Sequence, residues 1–113
     1  MKLKRKLIHI RVKRLLENIA SSDSPIKAAR LAKMLEIQDG AGQPKTRKLI
    51  KEVITIYKIP IVASSKGFWV AENKDQVKTY LESLKFRALR TRNRMRLIEI
   101  ASIKYFEKRK RWI

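Results

Sequence analysis

From Lys74 onward the chain contains neither glycine nor proline, while its three glycines and three prolines all fall between Pro25 and Gly67. The strong turn signals are therefore confined to the earlier part of the sequence. Beyond them one helix is predicted from residue 74 to about residue 108, far longer than the average of about 11–12 residues. With 113 residues the chain has room for one core and an appendage, so we divide it into a domain over 1–73 and a helical segment over 74–113.

Within the first segment, Ile8, Val12, Leu15, Leu16 and Ile19 recur at three- and four-residue spacing and predict a helix over 7–20. Ser21 to Ser24 read as a loop. Asp23 or Ser24 is then the expected N-cap, and Pro25 the first turn, of a second helix over 26–35 whose apolar stripe is Ala28, Leu31, Ala32 and Leu35. Gly40, Gly42 and Pro44 make the next stretch a long turn. A third helix is predicted over 44–57, with Leu49, Ile50, Val53, Ile54 and Tyr57 on one side and Thr46 roughly in line with them. Lys45, Lys48, Lys51 and Thr55 face the other way, with Arg47 at the boundary. Residues 59–63 and 68–71 are β-prone and flank Ser64-Ser65-Lys66-Gly67, which predicts a hairpin in which one of Phe68 and Trp69 enters the core. The fold class expected is mainly α with a small β-hairpin.

This element order resembles a winged helix-turn-helix. Ile26-Lys-Ala-Ala-Arg-Leu-Ala-Lys-Met-Leu-Glu-Ile37 resembles the first helix of that motif, and Pro44-Lys-Thr-Arg-Lys-Leu-Ile-Lys-Glu-Val53 its recognition helix. Pro60-Ile-Val-Ala-Ser-Ser-Lys-Gly-Phe-Trp-Val-Ala71 looks like the wing. Together they cover about residues 8–73 and are similar to the biotin-operon-repressor type of winged helix, which also occurs in small phage-encoded regulators. Val77-Lys-Thr-Tyr-Leu-Glu-Ser-Leu-Lys-Phe-Arg-Ala88 is similar to those phage proteins too. The turn between the second and third helices is longer than the three or four residues usual in the family. The resemblance implies double-stranded DNA as partner, with Gln43, Lys45, Arg47, Lys48 and Lys51 as groove contacts and Ser64, Ser65 and Lys66 on the backbone. The residue types suit those roles, since Arg and Lys donate to guanine acceptors and Gln pairs with adenine, while a lysine on phosphate adds affinity without sequence information.

Charge points the same way. The chain carries 29 Lys plus Arg against 10 Asp plus Glu, a formal +19. Residues 1–73 hold 16 basic against 6 acidic groups and residues 74–113 hold 13 against 4, so the excess is not a tail effect. A polyanion is the expected partner.

In the predicted last helix, two apolar stripes lie on roughly opposite sides. One contains Val77, Tyr80, Leu81, Leu84, Ala88, Met95 and Ile98, the other Phe86, Leu89, Leu97 and Ile100. Between them run Lys85, Arg92 and Arg96 on one flank and Arg87, Arg90 and Arg94 on the other, with no acidic residue from 85 to 96. A helix with two apolar faces needs two partners. Packing on the chain's own first helix could supply one. The expectation here is a homodimer, with Leu84, Leu89, Met95, Leu97 and Ile98 as oligomerisation residues. The final run Lys108-Arg-Lys-Arg-Trp-Ile113 is expected to be a basic end with phosphate affinity.

Several classes are not expected. No nucleophile with a base, phosphate-cradling glycine loop or acidic metal cluster can be assembled, so no enzyme, cofactor, metal or small-molecule substrate is anticipated. His9 has no ligand-type neighbours in sequence, and Asp23, Asp39 and Glu52 are scattered. There is no cysteine, no run of about 18 apolar residues and no secretion signal at the N-terminus, which makes a cytoplasmic or nucleoid-associated location the expectation. Two other functions compete with regulation of transcription or replication through DNA: binding RNA or the ribosome, and adaptor activity through the two-striped helix.

Overall fold

The computed structural model describes residues 2–111. The elements run α1 (Lys2–Asn18), α2 (Ala28–Met34), α3 (Pro44–Tyr57), β1 (Ile61–Ser64), β2 (Gly67–Val70) and α4 (Lys74–Arg111). The chain is mainly helical, and its sheet is one antiparallel hairpin with Ile61 opposite Val70 and Ser64 opposite Gly67. Two compact units divide it, the first ending at Tyr80 and the second beginning at Leu81, with α4 contributing to both.

The first unit is built around Val12 and Leu16 of α1, Leu31 of α2, Ile50 and Val53 of α3, and Ile61 of β1, all buried. Helix α3 packs on both α1 and α2, and α1 also meets β2. The apolar spacings read from the sequence thus converge on one cluster, and burial of these side chains is the main stabilising contribution.

Helix α1 begins at Lys2, earlier than the predicted residue 7. The Arg5 guanidinium, on that added turn, makes a two-pronged contact with Glu52 of α3 at 2.8 and 3.1 Å. The helix ends near Asn18, where the Ile19 and Ala20 amides both donate to the Leu15 carbonyl.

The second helix departs further from the sequence expectation. It starts at Ala28, neither Asp23 nor Ser24 caps it, and its N-cap Lys27 provides no side-chain bond. Ile26 is extended instead. Its amide donates to the Phe68 carbonyl at 2.9 Å and its carbonyl accepts from the Phe68 amide at 2.8 Å, an isolated antiparallel bridge that gives β2 a second neighbour. Residues 21–24 close on themselves through reciprocal Ser21 and Ser24 backbone bonds of 3.1 Å. Helix α2 then closes on left-handed Glu36 (φ 56°), with the Glu36 amide donating to Lys33 and the Ile37 amide to Ala32. Glycine is the usual residue for that closure.

Gly67 is where the hairpin meets the Ile26 backbone. Its φ is +138°, and a Cβ there would lie 2.5 Å from the Ile26 carbonyl carbon and 2.7 Å from the Lys27 nitrogen. Backbone cannot yield as a flexible side chain does, so only glycine fits. Phe68 and Trp69 are both half-buried. Phe68 packs on the core, while the Trp69 indole N–H donates to Gln76 Oε1 at 2.9 Å. Asn73 caps α4 by accepting from the Gln76 amide at 2.9 Å.

Two substitutions should therefore move stability in opposite directions. Gly67→Ala should cost about 2–5 kcal/mol through strain and backbone collision. Glu36→Gly should gain about 0.5–1 kcal/mol by relieving a left-handed non-glycine residue. Urea unfolding followed by circular dichroism measures both, and a neutral Gly67→Ala contradicts the packing described.

Candidate nucleic-acid interface

Helix α3 owes its position to Asp39. Its carboxylate lies in the preceding loop and accepts four bonds: from the Gly40 amide at 2.8 Å, the Lys45 amide at 3.1 Å, the Thr46 amide at 2.8 Å and the Thr46 hydroxyl at 2.9 Å. Two amide donors at the helix start, which have no partner within the helix, are satisfied this way. The N-cap residue Gln43 is left-handed (φ 51°) and gives no side-chain cap, so Asp39 performs that task from four residues upstream. Partial desolvation pushes the Asp39 carboxyl up, but the Thr46, Lys45 and Gly40 hydrogen bonds outweigh it and hold it below its ordinary value.

With Thr46 fully buried, the helix can turn only one way. At 100° per residue Lys48, Lys51 and Thr55 then point directly away from the core, and Lys45 and Arg47 flank them on either side. All five are exposed, as the sequence periodicity predicts, whereas Gln43 is half-buried at the helix start.

Arg47 is held in place. Its Nε donates to the Gly42 carbonyl at 2.7 Å, and its guanidinium carbon stands 5.6 Å from the centre of the Phe68 ring. The long turn and the returning strand therefore clamp one arginine of the exposed row between them. A cation over an aromatic face at this distance is attractive.

Across a two-residue turn at the hairpin tip, Ser64, Ser65 and Lys66 are exposed, and the Ser64 hydroxyl accepts from the Lys66 amide at 3.1 Å. On the other side of α3, Glu52 accepts from Arg5 and lies 3.0 Å from Nε2 of buried His9. The Arg5 hydrogen bond holds the Glu52 carboxyl below its ordinary value, against desolvation and with help from His9. His9 and Glu52 are thus neighbours that sequence separation concealed, and they serve the packing of α1 on α3. Asp39 is likewise absent from the site residues expected on sequence. Its signal is faint, an acidic residue ahead of a Gly-x-Gly-x-Pro stretch, because the spacing is not that of an ordinary capping box.

In the second unit the five residues expected to mediate self-association are all exposed, from Leu84 at 37% to Leu97 at 68%. Phe86, Ile100, Ile103, Tyr105 and Phe106 join them. The side chains of the expected basic end beyond Lys108 lie outside the described ones.

Among the described residues no three His, Cys, Asp or Glu side chains gather as a metal would need, and no helix is long and apolar enough to cross a membrane. Comparison with protein-family models, curated proteins and solved structures gives no match.

The Asp39 clamp has a pH signature. Its contribution is fully present above the unfolded aspartate value near 3.8 and is lost as pH falls through the lower folded value. Asp39→Asn replaces one acceptor oxygen by a donor, so it should lower the urea midpoint at neutral pH. The gap to the parent should narrow as pH falls below the unfolded value and close only once pH has passed the lower folded value, where Asp39 is protonated and its charge-assisted bonds are gone. A gap that stays constant with pH contradicts the clamp.

Proposed function

We propose that the first unit is a winged helix-turn-helix that binds double-stranded DNA and acts without catalysis, as a regulator of transcription or replication. In this reading α2 and α3 are the helix-turn-helix pair, α3 enters the major groove, and the β1–β2 hairpin is the wing on the phosphate backbone. The single observation that carries it is the exposed cationic face of α3, with Arg47 braced between Gly42 and Phe68 at its edge. An α-helix fits the major groove, and a guanidinium fork matches the two acceptors on guanine. Lys45, Lys48 and Lys51 then neutralise phosphates or reach base edges, and Gln43 stands where the helix enters.

Selection of bound fragments from random duplexes at near-physiological salt tests the reading. Arg47→Ala should cost about 1–3 kcal/mol on preferred sites and flatten the preference, whereas Lys66→Ala should weaken all sites equally and reduce the salt slope by about one. Equal loss of preference from both changes contradicts the roles. Structured RNA that outcompetes duplex DNA moves the assignment to RNA.

The second unit supports a homodimer in the same proposal, because an exposed run from Leu84 to Phe106 is larger than an isolated helix can leave open at no cost. Its six cations between Lys85 and Arg96 repel one another across any self-pair. Added salt should therefore strengthen self-association while weakening DNA binding. Sedimentation at micromolar concentration in low and high salt checks this, with Leu97→Ser/Ile98→Ser expected to stay monomeric. A parent protein that is monomeric at every salt concentration rules the dimer out.

A further inference from the structure

A cleft of about 600 Å³ opens in the first unit between the start of α1, the segment after α2 and the first half of α3. Its floor is apolar: Ile8, Ile37 and Leu49 are half-buried and pack their inner sides on the core, leaving their outer sides bare. Lys4, Lys45 and Lys48, all exposed, line the same cleft. None of the three makes an ion pair among the described residues. Glu52, the carboxylate on the wall among the described residues, is already committed to Arg5 and His9, so it neutralises none of the lysines.

Bare apolar floor and unneutralised lysines make different demands, and one ligand chemistry meets both. Duplex DNA would satisfy the ammonium groups but offers Ile8, Ile37 and Leu49 only the scattered carbons of thymine methyls and sugars. A neutral apolar molecule would cover the floor and gain nothing from the three ammonium groups. A protein surface is too large, because specific interfaces use about 20–30 residues a side, while the volume falls within the roughly 300–1,000 Å³ of small-molecule sites. We propose that this cleft binds an amphipathic organic anion, an aliphatic or aromatic body on the Ile8–Ile37–Leu49 floor with a carboxylate, sulfate or phosphate head among Lys4, Lys45 and Lys48.

Lys45 and Lys48 also belong to the proposed DNA face. A bound anion therefore withdraws them from the duplex, and the cleft makes DNA affinity responsive to a small molecule. This consequence rests on the DNA reading; occupancy of the cleft does not.

Decanoate is the probe, with decyltrimethylammonium as the control of equal chain length and opposite charge. Amide shifts of the full-length, isotope-labelled chain report where each binds. Saturable decanoate shifts centred on Ile8, Ile37 and Leu49 are expected, at least tenfold weaker in Lys48→Glu and in Ile37→Asn, with no saturation by the cation. Lys48 is exposed, so its reversal tests the site without endangering the fold.

The proposal is overturned by absence of shifts at those amides, by shifts confined to residues 84–106, by equal affinity in Lys48→Glu, or by equal binding of the cation. In a second measurement decanoate should lower affinity for a selected duplex at least fivefold in the parent protein, and less in Ile37→Asn. Because the shifts are recorded without DNA, failure to bind any duplex would defeat the DNA reading and leave the outcome for the cleft unchanged.

Discussion

Two hydrogen bonds between Ile26 and Phe68 join the hairpin to the segment that leads into α2, and they can form only because Gly67 has no side chain to keep the backbones apart. The bridge settles where Phe68 stands, and Phe68 in turn settles where the Arg47 guanidinium stands. The hairpin is thereby a brace for the helical core as well as a projection from it. A two-stranded ribbon alone is marginal in water, and here the Ile26–Phe68 bridge and the buried Ile61 and Val62 supply what it lacks.

Electrostatics follows a division of labour imposed by scarcity. With 10 acidic groups against 29 basic ones, several carboxylates of the first unit are occupied with holding the structure. Asp39 gathers the start of α3, Glu52 ties α3 to α1, and Glu72 accepts from the Ser22 amide at 2.7 Å. Glu17 engages Lys13 at 2.8 Å within α1. Carboxylates spent on backbone amides and core-edge contacts are not available to neutralise the lysines of α3. The outward cationic field is thus a by-product of how the fold is pinned, as well as of composition.

What the sequence revealed and what it hid divide along a physical line. The span of α3 was legible because proline at its first turn and a strong apolar periodicity are both local signals, and its outward lysines followed from that periodicity. The hairpin and the long α4 were legible for the same reason. The start of α2 was not, since Ile26 is drawn into extended geometry by a strand more than forty residues away, against the local cue of Asp23, Ser24 and Pro25. Asp39, His9 and Glu52 were invisible as partners because each acts across a loop or between helices. Periodicity alone puts Arg47 at the boundary of that face, but its anchors, a carbonyl in the turn and a ring on the hairpin, exist only in three dimensions.

That anchoring changes the thermodynamics of whatever Arg47 touches. A free arginine surrenders much of its rotamer freedom when it is fixed against a target, a loss of up to about 1.5–2 kcal/mol. Here the loss has been taken largely during folding, through the Gly42 carbonyl and the Phe68 ring. Among the described residues the lysines of α3 have no such tether and must be ordered at the moment of contact, so one side chain on that face arrives with its geometry already chosen.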